Sequence, residues 1–260
     1  MKKTIKIVLI SLTFLSLLFI SFYLVLRFSF QKELELYPIE VSNNTELKIG
    51  IIGDSWVAGE KLDSLLNTNL SKNGIEAKIT SSGHAGAKSK LIYQNMFEDK
   101  SNEHSSKFII ESHPDYCIVI AGVNDAIGQI GGKFYTYHFS LIIKTLLRNN
   151  IKPIIVELPE FGISDYTNKL NLIKKKRYEL FAMFNNDGDI DNIKAYRKDL
   201  NISLEKQDLN NKIIFIDFDQ ICEDFDDCKE IYRADGVHLN IKGNTLLSEA
   251  IAKELIKEIR

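Results

Sequence analysis

Residues Ile7 to Leu26, IVLISLTFLSLLFISFYLVL, form a run of twenty positions without one charge. As a helix rising about 1.5 Å per residue, it reaches roughly 30 Å, the thickness of a bilayer's hydrocarbon core. Nothing in the run is amphipathic, so it does not read as a helix covering one side of a soluble core. Lys2, Lys3 and Lys6 precede it; Arg27 and Lys32 follow, diluted by Glu33 and Glu35. That basic excess holds the short N-terminus in the cytoplasm and sends the rest across. The reading taken is an uncleaved signal anchor over residues 1–27. A cleaved signal peptide is the alternative, but its apolar region is usually about 7–15 residues and ends in small residues. Here Arg27-Phe28-Ser29-Phe30-Gln31 follows, and no Cys lies near to take a lipid. Either way, the body of the chain is expected outside the cytoplasm.

This split changes the charge arithmetic. The 260-residue chain carries 33 basic and 35 acidic residues; removing residues 1–27 takes three Lys, one Arg and no acid, leaving 29 against 35, a net of −6. An acidic domain disfavours nucleic acid phosphates and anionic headgroups, so membrane attachment is assigned to the helix and not to the surface, and no nucleic acid partner is expected. A 45% hydrophobic content excludes global disorder, and 4 Pro with 14 Gly exclude collagen-like or Pro-rich stalks. Three Cys are too few for a disulfide scaffold.

Residues 28–46 read as a polar stem. Beyond it, short apolar runs alternate with helical patterns. Leu47–Ile52, Ile75–Thr80, Asp115–Ile120, Pro153–Leu158 and Lys212–Asp217 are predicted strands. Helices are predicted over Val57–Asn73, Ala87–Glu98, Tyr135–Asn149 and Lys242–Ile259. Residues 160–210, polar and rich in Lys and Asn, carry helical stretches near Asn168–Phe184 and Asp191–Glu205 and read as an insertion or cap. The alternation predicts an α/β fold, a parallel sheet covered by helices on both faces. Ligands then bind beyond the carboxyl ends of the strands. Three polar clusters follow predicted strands there: Gly53-Asp54-Ser55, Gly83-His84-Ala85-Gly86 and Gly122-Val123-Asn124-Asp125.

Ser55 in a strand-to-helix turn places a hydroxyl above the sheet and its own N–H at a helix start, which suits attack on an ester carbonyl. The plainer role for such a serine is helix capping. A nucleophilic serine needs an imidazole held by a carboxylate. Of five His, only His238 has an acid at a spacing that fits one loop, Asp235 three residues earlier. Gly86 offers an unobstructed N–H and Asn124 a side-chain amide to a developing oxyanion; as plain loop residues they would be a turn and a cap.

Taken in order, Gly53-Asp54-Ser55-Trp56, Gly83-His84-Ala85-Gly86, Gly122-Val123-Asn124-Asp125 and Asp235-Gly236-Val237-His238-Leu239 resemble the SGNH (GDSL-type) hydrolase family, from about Leu47 to the C-terminus. The resemblance implies a flavodoxin-like three-layer α/β/α sandwich over residues 47–260. It implies Ser55 as nucleophile, His238 as base, Asp235 as its support, and an oxyanion hole from the Ser55 amide, Gly86 and Asn124. Trp56 stands where the GDSL form has Leu, and Ser81 where the second block often has Asn. Residues 160–210 match no motif and would bear on substrate choice. His84 and Trp56, beside these groups, are candidate substrate contacts.

Other signals are weaker. Gly131-Gly132-Lys133 lacks the Ser/Thr and upstream Gly of a P-loop. No Cys/His cluster has metal-ligand spacing, and no metal or cofactor is expected. Outside the cytoplasm Cys222 and Cys228 are a candidate disulfide, while Cys117 reads as a buried small hydrophobe. The acidic run Glu223–Asp227 reads as a solvated loop. The expected function is a membrane-anchored, extracytoplasmic serine esterase acting on acyl esters, with O-acetyl groups on surface glycans as candidate substrates. An O-acyltransferase to a glycan, through the same acyl-enzyme, and an inactive surface binding module are the alternatives.

Overall fold

The computed structural model describes residues 2–28, 46–59 and 61–260, and the chain divides into two units, Met1–Glu33 and Leu34–Arg260. In the first, helix α1 spans Lys2–Phe28. Its stretch Ile5–Phe28, 24 residues holding an 18-residue window of mean hydropathy 2.5, is long and apolar enough to cross a membrane; a signal sequence has the same character. The hydroxyls of Thr13 and Ser16 donate to the carbonyls of Leu9 and Leu12 at 3.0 and 2.9 Å. Both polar groups are thus satisfied within the helix, as a hydrocarbon solvent requires. The stem expected over 28–46 lies outside the described residues except at its two ends.

The second unit is built on five strands: β1 (Leu47–Gly53), β2 (Ala77–Gly83), β3 (Tyr116–Ile120), β4 (Lys152–Val156) and β5 (Ile214–Ile216). They pair in the order β2-β1-β3-β4-β5, every pair parallel. This is the doubly wound, flavodoxin-like order, whose switch point lies between β1 and β3. Ile49, Ile51, Ile52, Ile118, Val119, Ile154 and Ile155 are all buried, as central strands covered on both faces demand.

The helices of this unit are α2 (Ser55–Ala58), α3 (Leu62–Ser71), α4 (Ser89–Asn95), α5 (Lys107–Glu111), α6 (Val123–Ile127), α7 (Gly132–Arg148), α8 (Ile163–Asn168), α9 (Leu172–Asn185), α10 (Ile193–Lys206) and α11 (Ile241–Ile259). α3 packs on α11, with Asn69 Nδ2 donating to Ser248 Oγ at 2.9 Å. α7 packs between α4 and α10, and Gln207 beyond α10 donates to Ser140 Oγ at 3.2 Å. The helix predicted over Val57–Asn73 is instead two helices. Gly59 ends the first, and Lys61 enters the left-handed region at φ 52° before the second begins. Within residues 160–210, α10 is the connection from β4 to β5 and belongs to the helical layer, burying Ile193, Tyr196, Leu200 and Leu204. Within that segment α8 and α9 stand as additions to the doubly wound plan.

Candidate active site

β1 keeps its pairing with both neighbours to its last residue. Gly53 is opposite Gly83 of β2 and Ile120 of β3, the Asp54 amide donates to Ile120 O, and the His84 amide donates to Gly53 O at 2.9 Å. The turn is therefore pinned from both sides before the chain enters α2. Asp54 caps that helix: its Oδ1 accepts from the Trp56 amide at 3.0 Å, and its carbonyl accepts from Val57 and Ala58. Ser55 is the first helical residue. Gly83 is required by packing, since a Cβ there would stand 2.5 Å from Ala58 Cα and closer still to Ala58 N.

The second component comes from the other end of the chain. After Ile231 the backbone makes a tight excursion. Tyr232 bridges Leu239, the Gly236 amide donates to Arg233 O, and Gly236 takes φ 74°. Asn240 closes its base. Its Nδ2 donates to Glu230 O and Tyr232 O, while its Oδ1 accepts from the Gly243 amide and caps α11. Within the loop, Asp235 Oδ1 accepts from the amides of Val237 and His238 at 2.8 and 2.9 Å. Asp235 Oδ2 lies 2.8 Å from His238 Nδ1, and His238 Nε2 lies 3.0 Å from Ser55 Oγ.

A carboxylate only accepts, so Nδ1 carries the imidazole proton and Nε2 offers its lone pair to the serine hydroxyl. Partial burial pushes the Asp235 carboxyl up, but the His238 and Val237 amides and the imidazole outweigh it, and the group is held below the usual carboxylate range. The acid is therefore charged when the imidazole needs it. Chemically, this is a hydroxyl with a base on its proton and a fixed anion behind the base.

The oxyanion candidates lie on the two neighbouring turns. The amides of Ser55 and Gly86 have no hydrogen-bond acceptor among the described residues. Gly86 is exposed at φ 77°, with nothing within 4 Å of where a Cβ would sit, so its turn is open to a ligand. Asn124 Nδ2 donates to Ala87 O at 3.1 Å and lies 3.4 Å from Asp54 Oδ2. The first bond ties it to the Gly86 turn; the second is long and yields readily to a better acceptor. Beneath them lie two buried carboxyls, and the charge of Asp125 acts on Asp54. Burial, with the Asp125 charge added, pushes Asp54 up to about 7, against the Trp56 amide and Asn124. Burial pushes Asp125 up to about 6, although the Ser89 hydroxyl and amide bind it at 2.6 and 2.8 Å.

Three expectations fare differently. Trp56 is only 1% exposed and packs against Phe218 with ring centroids 5.9 Å apart. One residue past Ser55 the helix has turned by about 100°, so the indole enters the core and is not a substrate contact. His84 is half-buried; its ring stacks on His104 at 3.6 Å and its Nδ1 meets Asn95 Nδ2. Its backbone matters more directly, since the His84 carbonyl accepts from Ala87 and shapes the Gly86 turn. Cys222 and Cys228, the candidate disulfide pair, are unbonded in this structure but are neighbours, the Cys228 thiol being one of the groups that raise Cys222.

Sequence reasoning passed over one cluster. Glu157, Asp217 and Asp219 bring carboxylate oxygens together at the ends of β4 and β5. Arg197 of α10 supplies their counter-charge, pairing with Asp219 and lying 3.7 Å from Glu157, with its Nε donating to Leu158 O. Burial nevertheless leaves Glu157 raised to about 7. The signal was a lone Arg inside an apolar helical face, Tyr196-Arg197 to Leu200 and Leu204.

A parallel doubly wound sheet with a hydroxyl, imidazole and carboxylate aligned beyond its β1 edge defines a hydrolase acting on ester bonds. The profile of the GDSL-like Lipase/Acylhydrolase family matches residues 51–246, and the chain belongs to that family. No match to the chain is found among the curated proteins. Its fold is similar to that of a lipase/acylhydrolase from Enterococcus faecalis, at 18% identity and TM-score 0.60, covering 82% of this chain and 96% of that one. It is also similar to Axe2, an acetylxylan esterase from Geobacillus stearothermophilus, at 14% identity and TM-score 0.55, covering 80% and 94%.

Proposed function

We propose that the protein is a membrane-anchored, extracytoplasmic serine esterase that removes short acyl groups, O-acetyl groups on surface glycans being the substrate class. The observation that carries this reading is the unbroken chain from Ser55 Oγ through His238 to Asp235, at 3.0 and 2.8 Å. Ser55 Oγ attacks the ester carbonyl while His238 Nε2 takes its proton, and the imidazolium forms against Asp235. The carbonyl oxygen, now anionic, takes the amides of Ser55 and Gly86 and the Asn124 hydrogen released from its long contact with Asp54. His238 returns the proton to the leaving alcohol. Water then repeats the attack on the acyl-enzyme, and the acid leaves.

The apolar α1 supports anchoring, and the open Gly86 turn supports a small acyl group on a bulky alcohol. The similarity in fold to an acetylxylan esterase agrees with a glycan-linked acetyl group. A fluorophosphonate probe should label the protein and leave Ser55→Ala unlabelled. p-Nitrophenyl esters should lose turnover as the acyl chain lengthens, and acetylated glycans should release acetate. A folded wild-type protein that takes no probe overturns the reading. New sugar esters formed with an acceptor glycan present, in place of free acetate, make it a transferase.

A further inference from the structure

We propose that α9 seats on an anionic phospholipid surface, as an interfacial helix beside the active-site loop. This rests on the reading that α1 keeps the chain in the membrane. α9 has the sequence LIKKKRYELFAMFN, and Ala182 is its one buried residue. Lys175, Tyr178 and Glu179 share the inward arc with Ala182 and are half-buried. On the opposite arc, Ile173, Leu180 and Phe184 fall at i, i+7 and i+11, within about 40° of one another. They are 83%, 48% and 73% exposed. A helix on a water-covered domain turns such a stripe inward; this one turns it out.

The flanks name the partner. Lys176 lies on one side of the stripe and Arg177 on the other, with Lys174 a little further round. Lys176 reaches Glu179 at 2.6 Å and Lys175 reaches Asn168 at 2.8 Å, while Arg177 lies over the Tyr178 ring. Four consecutive cations from Lys174 to Arg177, offset only by Glu179, complement anionic headgroups, and the apolar ridge between them enters the acyl boundary. A second copy of the chain is a poorer occupant, because a two-fold pairing would bring the same cations face to face. The net charge of −6 in the exported part concealed this local excess. The segment also adjoins the site: Lys169, between α8 and α9, donates from Nζ to Ala234 O at 3.0 Å, next to Asp235. Docking through α9 therefore holds the rim of the site at the bilayer surface.

The test uses the full chain in nanodiscs of phosphatidylcholine alone or mixed with phosphatidylglycerol, read by amide hydrogen exchange. Residues 172–185 should exchange about tenfold slower or more on the mixed discs than on the neutral ones. Ile173→Ser with Phe184→Ser, and separately Lys174→Glu with Arg177→Glu, should abolish that protection. Turnover of a soluble p-nitrophenyl ester should stay unchanged in both, because all four side chains are exposed. Equal exchange on the two discs overturns the proposal while leaving the anchor and the esterase intact. Protection that appears in detergent and grows with protein concentration assigns the face to a second copy and overturns it too. A chain that co-elutes with neither disc overturns the anchor and this proposal together. Failure of Ser55 to take the fluorophosphonate, with protection present, overturns only the esterase.

Discussion

Asp235→Asn tests the site at the atom on which its electrostatics turn. Asn keeps the shape of Asp, and its Oδ1 still accepts from the amides of Val237 and His238, so the loop has no reason to open. The other terminus becomes an NH₂ facing His238 Nδ1 across the present 2.8 Å. Two donors cannot share that contact, so the imidazole adopts the other tautomer and presents a hydrogen, not a lone pair, to Ser55 Oγ. The charge is lost as well. At about 4 Å and an effective dielectric near 20, an imidazolium–carboxylate pair contributes about 4 kcal/mol. The two side chains are 33% and 39% exposed, and solvent screening reduces that to about 2 kcal/mol. In a buried triad the same substitution costs about 10⁴ in kcat, chiefly through the tautomer. For this half-exposed pair a fall of about 10² to 10³ is expected, with KM little altered. The assay is kcat and KM for p-nitrophenyl acetate across neutral pH, with circular dichroism to confirm the fold. Asp235→Ala, free to choose its tautomer, should be partly rescued by added formate where Asp235→Asn is not. An Asn variant within about threefold of wild type would refute the reasoning, since neither tautomer nor charge would then matter.

Four further outcomes are expected. Gly83→Ala forces a Cβ onto the Ala58 backbone and should lose about 1–3 kcal/mol of stability in denaturant titration. Gly86→Ala meets open space, should cost only about 1 kcal/mol for φ 77°, and should instead lower kcat about tenfold or more by turning the amide. Asp54 stands at about 7 in the fold against 3.8 when free, so between those values the folded state holds a proton that the unfolded state has lost. Its contribution therefore falls as pH rises from about 4 to about 7, and the melting temperature of Asp54→Asn should gain on wild type over that window and level off above it. Parallel melting curves at every pH would dismiss the buried-carboxyl argument. Cys222 and Cys228, neighbours in the fold, should close to a disulfide when a small organic disulfide takes their two electrons, the protein losing two hydrogens by mass. Persistence of both free thiols under that oxidant would show that the loop holds them apart.

The central strands were legible because a parallel sheet buried on both faces must be written as unbroken apolar runs. The strands expected over Leu47–Ile52 and Asp115–Ile120 rest on such runs, and the structure moves one end of each by one residue, to Leu47–Gly53 and Tyr116–Ile120. β2 was placed early, over Ile75–Thr80, because Ser81-Ser82-Gly83 looks like a terminator. As an edge strand it continues through those polar residues, with Ser81 and Ser82 paired to Ile51 and Ile52. α5 went unread because five residues hold little more than one helical turn, too short to show a period. The site's order along the chain was legible from its four clusters. Trp56 was misplaced because adjacency to Ser55 says nothing about rotation around α2. The outward stripe of α9 was equally hidden: a period shows that a helix has an apolar side, and only the tertiary structure shows which way that side faces.

Asn240 joins two events that the chain keeps far apart in time. The same side chain starts α11 and closes the loop that carries Asp235 and His238, while Ser55 belongs to the first strand-to-helix turn of the sheet. A ribosome has therefore released the hydroxyl 183 positions before it supplies the imidazole. Until that late loop closes on the first strand-to-helix turn, the Ser55 hydroxyl has no imidazole beside it.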